Sequence, residues 1–412
     1  MEVKQCKRCL YKSTHPLGIT FDEEGICSGC RIHEEKDKLN WNERWDKLEK
    51  IVKDYKRTKE YSYDCIVPVS GSQDSYFIVH TVKNRLKLNP LLVTYNKYFN
   101  TPLGIRNLSN LRIKFNCDIL VQNINPKSVK NITRETFRRF GNIYWPCIAG
   151  QTVFPVQIAV KYKTPLIIWG AHQGLEQVGM FSHSHEVEMT RRYRKDHDLM
   201  GYEADDLLSI ENTITEKDIW QYRYPSDHEI NEIGIRGIYL GNYLRWDPKA
   251  QHEEMIKKFD YKTSRFNRTF DCYDFVDCFN YMQIHDLLKL YKHGYSKVTD
   301  HACREIRFGR ITRERGIKLV NYYQFKEIKY QNLFAKWLGI SEDSIDFIKN
   351  QFRNKLFWEQ YDLEKWSFKN FGNNLKNQKN DICLDLNEEF ISTDKLELNQ
   401  KPDYIIYGKG YP

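Results

Sequence analysis

The 412-residue sequence holds no apolar run approaching the roughly 20 residues that a membrane-spanning helix needs. Pro165-Leu166-Ile167-Ile168-Trp169 is among its longest and reads as a buried strand. The N-terminal residues lack the charged-then-apolar order of a secretory signal, so a cytoplasmic protein with no membrane contact is expected. Low-complexity tracts, heptad arrays and internal repeats are missing as well, which argues against fibrous and solenoid architectures. What remains is 41% hydrophobic and 14% aromatic, a composition of folded rather than disordered chains, long enough for two or three domains. The net charge of +9 fits a solvated lysine-rich surface or an anionic ligand, and charge alone does not separate the two.

Two common phosphate motifs are also absent: no G-x-x-x-x-G-K-[ST] and no G-x-G-x-x-G occurs. In their place, Ser70-Gly71-Ser72-Gln73-Asp74-Ser75 follows the apolar stretch Cys65–Val69 and precedes a helix-like segment. Strand patterns at 64–69, 91–95, 118–122 and 165–169 alternate with helix patterns near 75–86, 102–115, 126–139 and 149–162. Alternation of this kind predicts an α/β fold with a doubly wound, mainly parallel sheet, whose ligands bind at the carboxyl ends of the strands. Thr101-Pro102 supplies a cap and a first-turn proline for one of these helices. Gly71 lets the backbone approach a phosphate, and Ser70 and Ser75 offer hydroxyl donors. Asp74 suits such an anion only with a bridging Mg²⁺. Thr94, Tyr95 and Asn96 end the second strand, and Gly170, His172, Gln173 and Glu176 follow the fourth, so all are expected at the same edge.

Cysteines are placed in a pattern. Cys6-x2-Cys9 and Cys27-x2-Cys30, with 17 residues between the pairs, have the spacing of a zinc ribbon. Four thiolates leave no open coordination position, so this Zn²⁺ is expected to be structural. Gly25 and Gly29 are expected to allow the tight turns near the second pair. Trp41, Trp45, Leu48, Val52 and Tyr55 recur at helical steps and predict a helix packing the knot onto the main domain.

Ser70-Gly71-Ser72-Gln73-Asp74-Ser75 resembles the PP-loop, S-G-G-x-D-S, of the ATP pyrophosphatases, with Ser72 where the common pattern has a second glycine. Over most of the chain the sequence is similar to the N-acetyl sugar amidotransferases of bacterial surface-polysaccharide and flagellin-glycan synthesis. These enzymes are related to the pseudaminic, legionaminic and acetamidino-mannuronic acid pathways. The stretches that carry the likeness are Tyr144–Cys147, 169–179, 181–201, 239–247, 292–316 and 403–411. The resemblance implies conversion of a sugar N-acetyl group to an acetamidino group with ATP and ammonia. Its substrate would be a sugar acid on a nucleotide carrier. The chain has no G-x-C-x-G nucleophile elbow, and residue 2 is Glu, so ammonia is expected from a separate glutaminase subunit.

On this reading Asp74, Ser75, His172 and Glu176 act at the reacting centre. Ser70, Gly71, Ser72, Gln73, Thr94, Tyr95, Gly170 and Gln173 join them in holding ATP. His183, His185 and Glu186 with Arg191, Arg192 and Arg194 form a substrate loop, since Arg forks match carboxylates and phosphates. Arg304, Arg307, Arg310 and Arg313 recur every third residue, a basic run open to substrate phosphate, a partner subunit or solvent. The expected division is a zinc ribbon at 1–35, a linking helix at 36–60, the PP-loop domain at 61–245 and a mainly helical region at 246–412. Homo-oligomerisation stays open. The competing reading is a tRNA-thiolating enzyme, which needs clustered catalytic thiols; nucleic acid is otherwise not an expected partner.

Overall fold

Strand β1, Cys65–Pro68, is built from residues whose side chains are buried on both faces of a sheet. The computed structural model describes residues 3–57, 62–72, 74–208, 213–363, 365–369 and 390–393; Gln73 and the 403–411 stretch lie outside them. Strand β1 is followed by β2, Pro90–Tyr95; β3, Ile119–Gln122; β4, Leu166–Trp169; and β5, Arg236–Tyr239. The five run parallel in the order β3-β2-β1-β4-β5. The chain leaves β1 toward one edge and returns at β4 to the other, so a switch point opens between β1 and β4, where ligands of such sheets bind.

Period-2 alternation sorts the two faces. Ile66, Leu91, Val93 and Ile167 meet Val156, Ile158 and Ala159 of a covering helix. Cys65, Val67, Leu92 and Ile168 face Val79, Val82, Leu108 and Leu111 on the other side. The helices concerned are α3, Ser75–His80; α4, Pro102–Phe115; α5, Pro126–Phe140; and α6, Trp145–Tyr162, numbered after α1, Ser28–Glu35, and α2, Trp41–Lys53. The predicted helix over 75–86 is α-helical to His80 and then makes one wider π turn, Thr81–Arg85. Helix α4 begins as its sequence says: Thr101 caps it, accepting from the Gly104 amide, with Pro102 in the first turn.

The C-terminal region is mainly helical, with helices at Pro248–Phe259, Asp286–His293, Lys297–Arg307, Arg313–Tyr323, Gln331–Leu338 and Glu342–Gln351. These are followed by a hairpin of Trp358–Gln360 against Trp366–Phe368. Helix α2 buries Leu48 and Val52 against the sheet's core. The cysteine knot packs instead on Phe270, Tyr273, Tyr295, Val298 and Cys303 of the C-terminal region. Among the described residues no helix is long and apolar enough to cross a membrane.

Candidate functional site

The loop leaving β1 is braced by its own hydroxyls. Ser70 Oγ and Ser75 Oγ both donate to the Ser72 carbonyl at 3.0 Å, while the Ser70 amide donates to Ser75 Oγ at 2.9 Å. Gly71 is glycine for a packing reason: a Cβ there would overlap the Gly104 carbonyl in α4. Ser72 is not in the left-handed region, so the place of the usual second glycine carries no backbone strain here. Its side chain is fully buried and accepts a hydrogen bond from the Val276 amide at 3.0 Å. Asp74 Oδ1 is buried with no hydrogen-bond partner. Burial pushes its carboxyl up to about 6, against the opposing pull of His252. An orphaned carboxylate oxygen beside the loop is one hard oxygen ligand of the kind Mg²⁺ takes, so the residues present fit that ion.

Two cavities meet at the carboxyl edge of the sheet. The smaller, of about 200 Å³, brings Ser70, Asp74, Ser75, Thr94, Tyr95 and Gly170 together around Gln151 and Trp169. The larger, of about 770 Å³, takes in His172, Gln173 and Arg194 and shares Gln151, Trp169 and Ala171 with the first. His172 is buried among Tyr193, Phe181 and Tyr239, with neither ring nitrogen hydrogen-bonded. Burial, aided by Arg194, lowers it to about 3, so its imidazole is neutral at physiological pH and offers one N–H and one lone pair. Glu176 lines neither of these cavities; it pairs with the buried Lys36, whose ammonium also donates to the Trp246 carbonyl at 3.1 Å. Asn96 braces the turn after β2, accepting from the Tyr98 amide and Asn100 and donating to Asn123.

The expected substrate loop is not gathered into one place. His183 is buried against Trp41 and Glu35, its amide donating to Glu35 Oε2 at 2.9 Å. Glu186 pairs with Lys47, and His185 closes the turn onto Ser182. Arg191 forks onto Glu203 at 2.8 and 3.0 Å, and Arg192 is 93% exposed. Arg194 alone of the six lines a described cavity, stacked over Trp169 at 4.0 Å and paired with Asp198 at 2.6 Å.

The arginine run is likewise not a solvated face. Arg304 donates to Asp271 at 2.5 Å and to Glu305 at 2.7 Å, and Arg310 reaches Asp247 and Glu305. Arg307 is a clamp: it donates to the Glu176 and Gln177 carbonyls at 3.1 and 2.9 Å and lies 3.7 Å from Cys27 Sγ. Asp271, Asp247 and the two carbonyls come from distant segments, and only Glu305 lies within the run, so spacing alone did not show how these arginines are held.

Cys6, Cys9, Cys27 and Cys30 are buried together, with Cys6 Sγ 4.0 Å from Cys30 Sγ and Cys9 Sγ 3.5 Å from Cys27 Sγ. Sulfurs around one tetrahedral zinc lie about 3.8 Å apart, so these four fit Zn²⁺. Gly25 makes the expected left-handed turn at φ +77°. Gly29 does not: it sits inside α1, where a Cβ would come within 2.6 Å of the Gln177 carbonyl oxygen. Among the described residues no second cluster of three cysteines exists; Cys147 is buried, and burial with Cys278 nearby raises its thiol well above the usual range.

Several residues of these walls had no sequence signal of their own. Lys97 is buried in an ion pair with Asp277. Lys289, Lys292 and Lys297 line the larger cavity, and Lys292 donates to the Phe140 carbonyl at 2.7 Å. His252 approaches Asp74 of the loop from the C-terminal region, with Asp274 beside it and His301 beside Asp274. Asp274 stands outside the family-like stretches, and Lys292, Lys297 and His301 fall inside one whose likeness names no role.

Residues 253–373 match the family model described as LPS biosynthesis protein WbpG-like, C-terminal domain. An uncharacterised protein of Methanocaldococcus jannaschii, MJ1599, is 27% identical over 122 residues. That stretch is 29% of this chain and 42% of the relative, so the chain spans less than half the length of this relative. The family match supports a part in lipopolysaccharide biosynthesis for a chain whose C-terminal region resembles that domain.

Proposed function

We propose that the protein is an ATP-dependent amidotransferase that converts a sugar N-acetyl group to an acetamidino group, with ammonia delivered by a separate glutaminase. The observation that carries the reading is the pair of joined cavities: one against Ser70, Asp74 and Ser75, the other larger and basic, meeting at Gln151, Trp169 and Ala171. Likeness of the C-terminal region to a lipopolysaccharide-biosynthesis domain supports a surface-sugar acceptor.

An amide carbonyl is a poor electrophile because its oxygen leaves badly. In the proposed reaction that oxygen attacks the α-phosphorus of ATP and pyrophosphate departs. Ammonia adds to the carbon of the O-adenylyl imidate, a proton is lost, and AMP leaves with the former carbonyl oxygen. The protein's part is to hold the two reactants in line and to keep water off the imidate. ATP would occupy the smaller cavity with its phosphates at Ser70–Ser75, and Asp74 would hold Mg²⁺, which supplies positive charge to the leaving pyrophosphate. The neutral His172 is a hydrogen-bond donor for the amide oxygen rather than a strong base. On the opposite wall, Lys289 and Lys297 share Asp300, and among the described residues no carboxylate pairs with Lys292. That wall has a net positive excess, suited to the carboxylate or diphosphate of a nucleotide-linked sugar acid.

Thiolation of tRNA is the weaker reading, because the described residues lack its clustered catalytic thiols. The deciding experiment is mass spectrometry of a diacetamido sugar acid, nucleotide-linked and free, after incubation with protein, Mg-ATP and an ammonium salt. Product lighter by the difference between O and NH, with one AMP per turnover, is expected. ATP-dependent sulfur incorporation into tRNA without sugar product would overturn the proposal.

A further inference from the structure

The loop between the two cysteine pairs reaches beyond the knot. Its residues His15, Pro16 and Leu17 line the larger cavity, beside Lys289, Lys292 and Tyr295 of the C-terminal region. The proposed reaction gives these three loop residues no role. Their shape is set locally: the Gly18 amide donates to the His15 carbonyl at 3.0 Å. Pro16 is second in that turn and Gly18 fourth, at φ +72°, the places where such turns favour them.

One ring on this loop holds a donor with nothing to receive it. His15 is 5% exposed, and burial lowers its imidazole to about 3, so at neutral pH the ring is uncharged and carries one N–H. The Leu17 backbone N–H donates to Nδ1 at 3.2 Å. A backbone N–H can only give its hydrogen, so Nδ1 holds the lone pair and the ring proton sits on Nε2. Among the described residues nothing accepts from Nε2. Buried donors are seldom left without an acceptor, and this one belongs to a residue that lines a cavity.

Its surroundings define what would accept. His15 stacks on Tyr295, with ring centres 5.2 Å apart and planes at 28°, and the Lys289 ammonium lies 4.3 Å from the centre of the same ring. The knot grips this wall a second time. Tyr11 OH donates to Asp300 Oδ1 at 2.9 Å, and Asp300 Oδ2 pairs with Lys289 and Lys297. Donors from the knot and from the C-terminal region thus meet at one corner, which an oxyanion that only accepts would match. His172, where the proposed reaction places the amide, is ringed instead by Phe181, Tyr193 and Tyr239. A carboxylate on the reacting sugar stays close to that amide, whereas a diphosphate extends beyond the sugar ring. The volume agrees: about 770 Å³ lies in the upper half of the range of small-molecule sites, roughly 300–1,000 Å³, and leaves room beyond one sugar ring.

We infer that the cysteine knot forms part of the acceptor site, with His15 donating Nε2–H to a phosphate oxygen of a sugar carried on a nucleoside diphosphate. The knot then serves recognition as well as fold, by fixing the loop that presents this donor. The inference rests on the acceptor reading of the larger cavity and adds to it a binding residue from a segment expected to be structural.

The test is calorimetric titration of the full-length chain, purified in zinc-containing medium and saturated with α,β-methylene ATP. The ligands are UDP-linked and GDP-linked diacetamido uronic acid and the free acid. His15→Phe keeps a ring on Tyr295 and removes the N–H, whereas His15→Gln returns an N–H donor at similar reach. His15→Phe should weaken the tighter of the linked sugars by about ten- to a hundredfold, and His15→Gln should recover most of that loss. The free acid and the ATP analogue should bind all three proteins alike, with one zinc per chain in each. Undiminished affinity of His15→Phe for the linked sugar, or an equal loss for the free acid, would overturn the inference and leave the acceptor reading standing. A loss that His15→Gln shares in full would mark a packing role and overturn it as well. Binding of the ATP analogue with no sugar bound by the unmodified chain would remove the acceptor reading, and this inference with it.

Discussion

Ser72 and Val276 stand 204 positions apart in sequence and meet in one hydrogen bond, the buried Ser72 hydroxyl accepting from the Val276 amide at 3.0 Å. The loop after β1 is thereby tied to the C-terminal region at the residue where it departs from the S-G-G-x-D-S pattern it resembles. Ser72→Gly restores that glycine and leaves the Val276 N–H buried and unpaired, a loss of about 1–3 kcal/mol. The urea midpoint of the variant should fall accordingly. An unchanged midpoint would mean that water replaces the hydroxyl and that the tie is unimportant.

Gly71 tests the loop's other anchor. Its missing Cβ makes room for the Gly104 carbonyl, and Gly104 in turn lies so close to Asp277 that a Cβ there would come into conflict as well. The atoms in the way are largely backbone, so Gly71→Ala must move α4 or the loop. Overpacking of this kind costs about 1–3 kcal/mol, and the displaced loop should lose its nucleotide. Isothermal titration with ATP and a thermal melt on the same preparation would show both effects; wild-type ATP affinity in the variant would separate the loop from nucleotide binding.

How far the sequence could be read depended on where the partners of each residue lie. Strands β1, β2 and β4 were legible because Cys65–Val67, Leu91–Val93 and Leu166–Ile168 are apolar runs buried on both faces, and the half-buried edge strand β3 because Ile119-Leu120-Val121 is an apolar run too. Strand β5 passed unnoticed: Arg236-Gly237-Ile238-Tyr239 is four residues long and holds an arginine and a glycine, too little for a period to register. Ser70, Asp74, Thr94 and Gly170 line one cavity, a proximity the sequence could suggest because strand order alone brings strand ends together. His252 and Lys292 were invisible for the opposite reason, since they meet Asp74 and the Phe140 carbonyl across more than 100 residues. Asp274 was invisible because its partners His252, His301 and Arg304 come from helices elsewhere in the chain. Arg304 and Arg307 show the same limit: a three-residue spacing says nothing of the Asp271 carboxylate and the Gln177 carbonyl that hold them.

The cysteine site should hold one zinc per chain by elemental analysis. Because Arg307 bonds the Glu176 and Gln177 carbonyls while lying against Cys27, metal loss should travel beyond the knot. Cys9→Ser, or exhaustive chelation, should speed hydrogen exchange in Gly174–Val178 and in Lys297–Arg307 as well as in residues 6–30. Exchange confined to residues 6–30 would show that the clamp does not transmit the loss.

Lys292 gives the pH test of the acceptor wall. Burial lowers its ammonium to about 8, against an unfolded value near 10.4. Between those values the unfolded chain holds a proton that the folded chain has released, so this residue makes folding more favourable as pH rises through that window. Below about 8 the folded chain carries a partly desolvated charge that a bound anion would offset. His285 and His293, lowered to about 3 by burial, do not titrate in this range, whereas Lys289, also lowered by burial but held up by Asp300, does not reach neutrality without losing its ion pair. A diphosphate-linked uronic acid should therefore bind more tightly at pH 7 than at pH 9 in calorimetric titrations. Lys292→Met should flatten that dependence and weaken binding at pH 7 by about ten- to a hundredfold, the worth of a hydrogen bond to a charged group. ATP affinity should stay where it was. Equal affinity for the sugar in both proteins at both pH values would mean that the anionic end of the acceptor does not reach this wall.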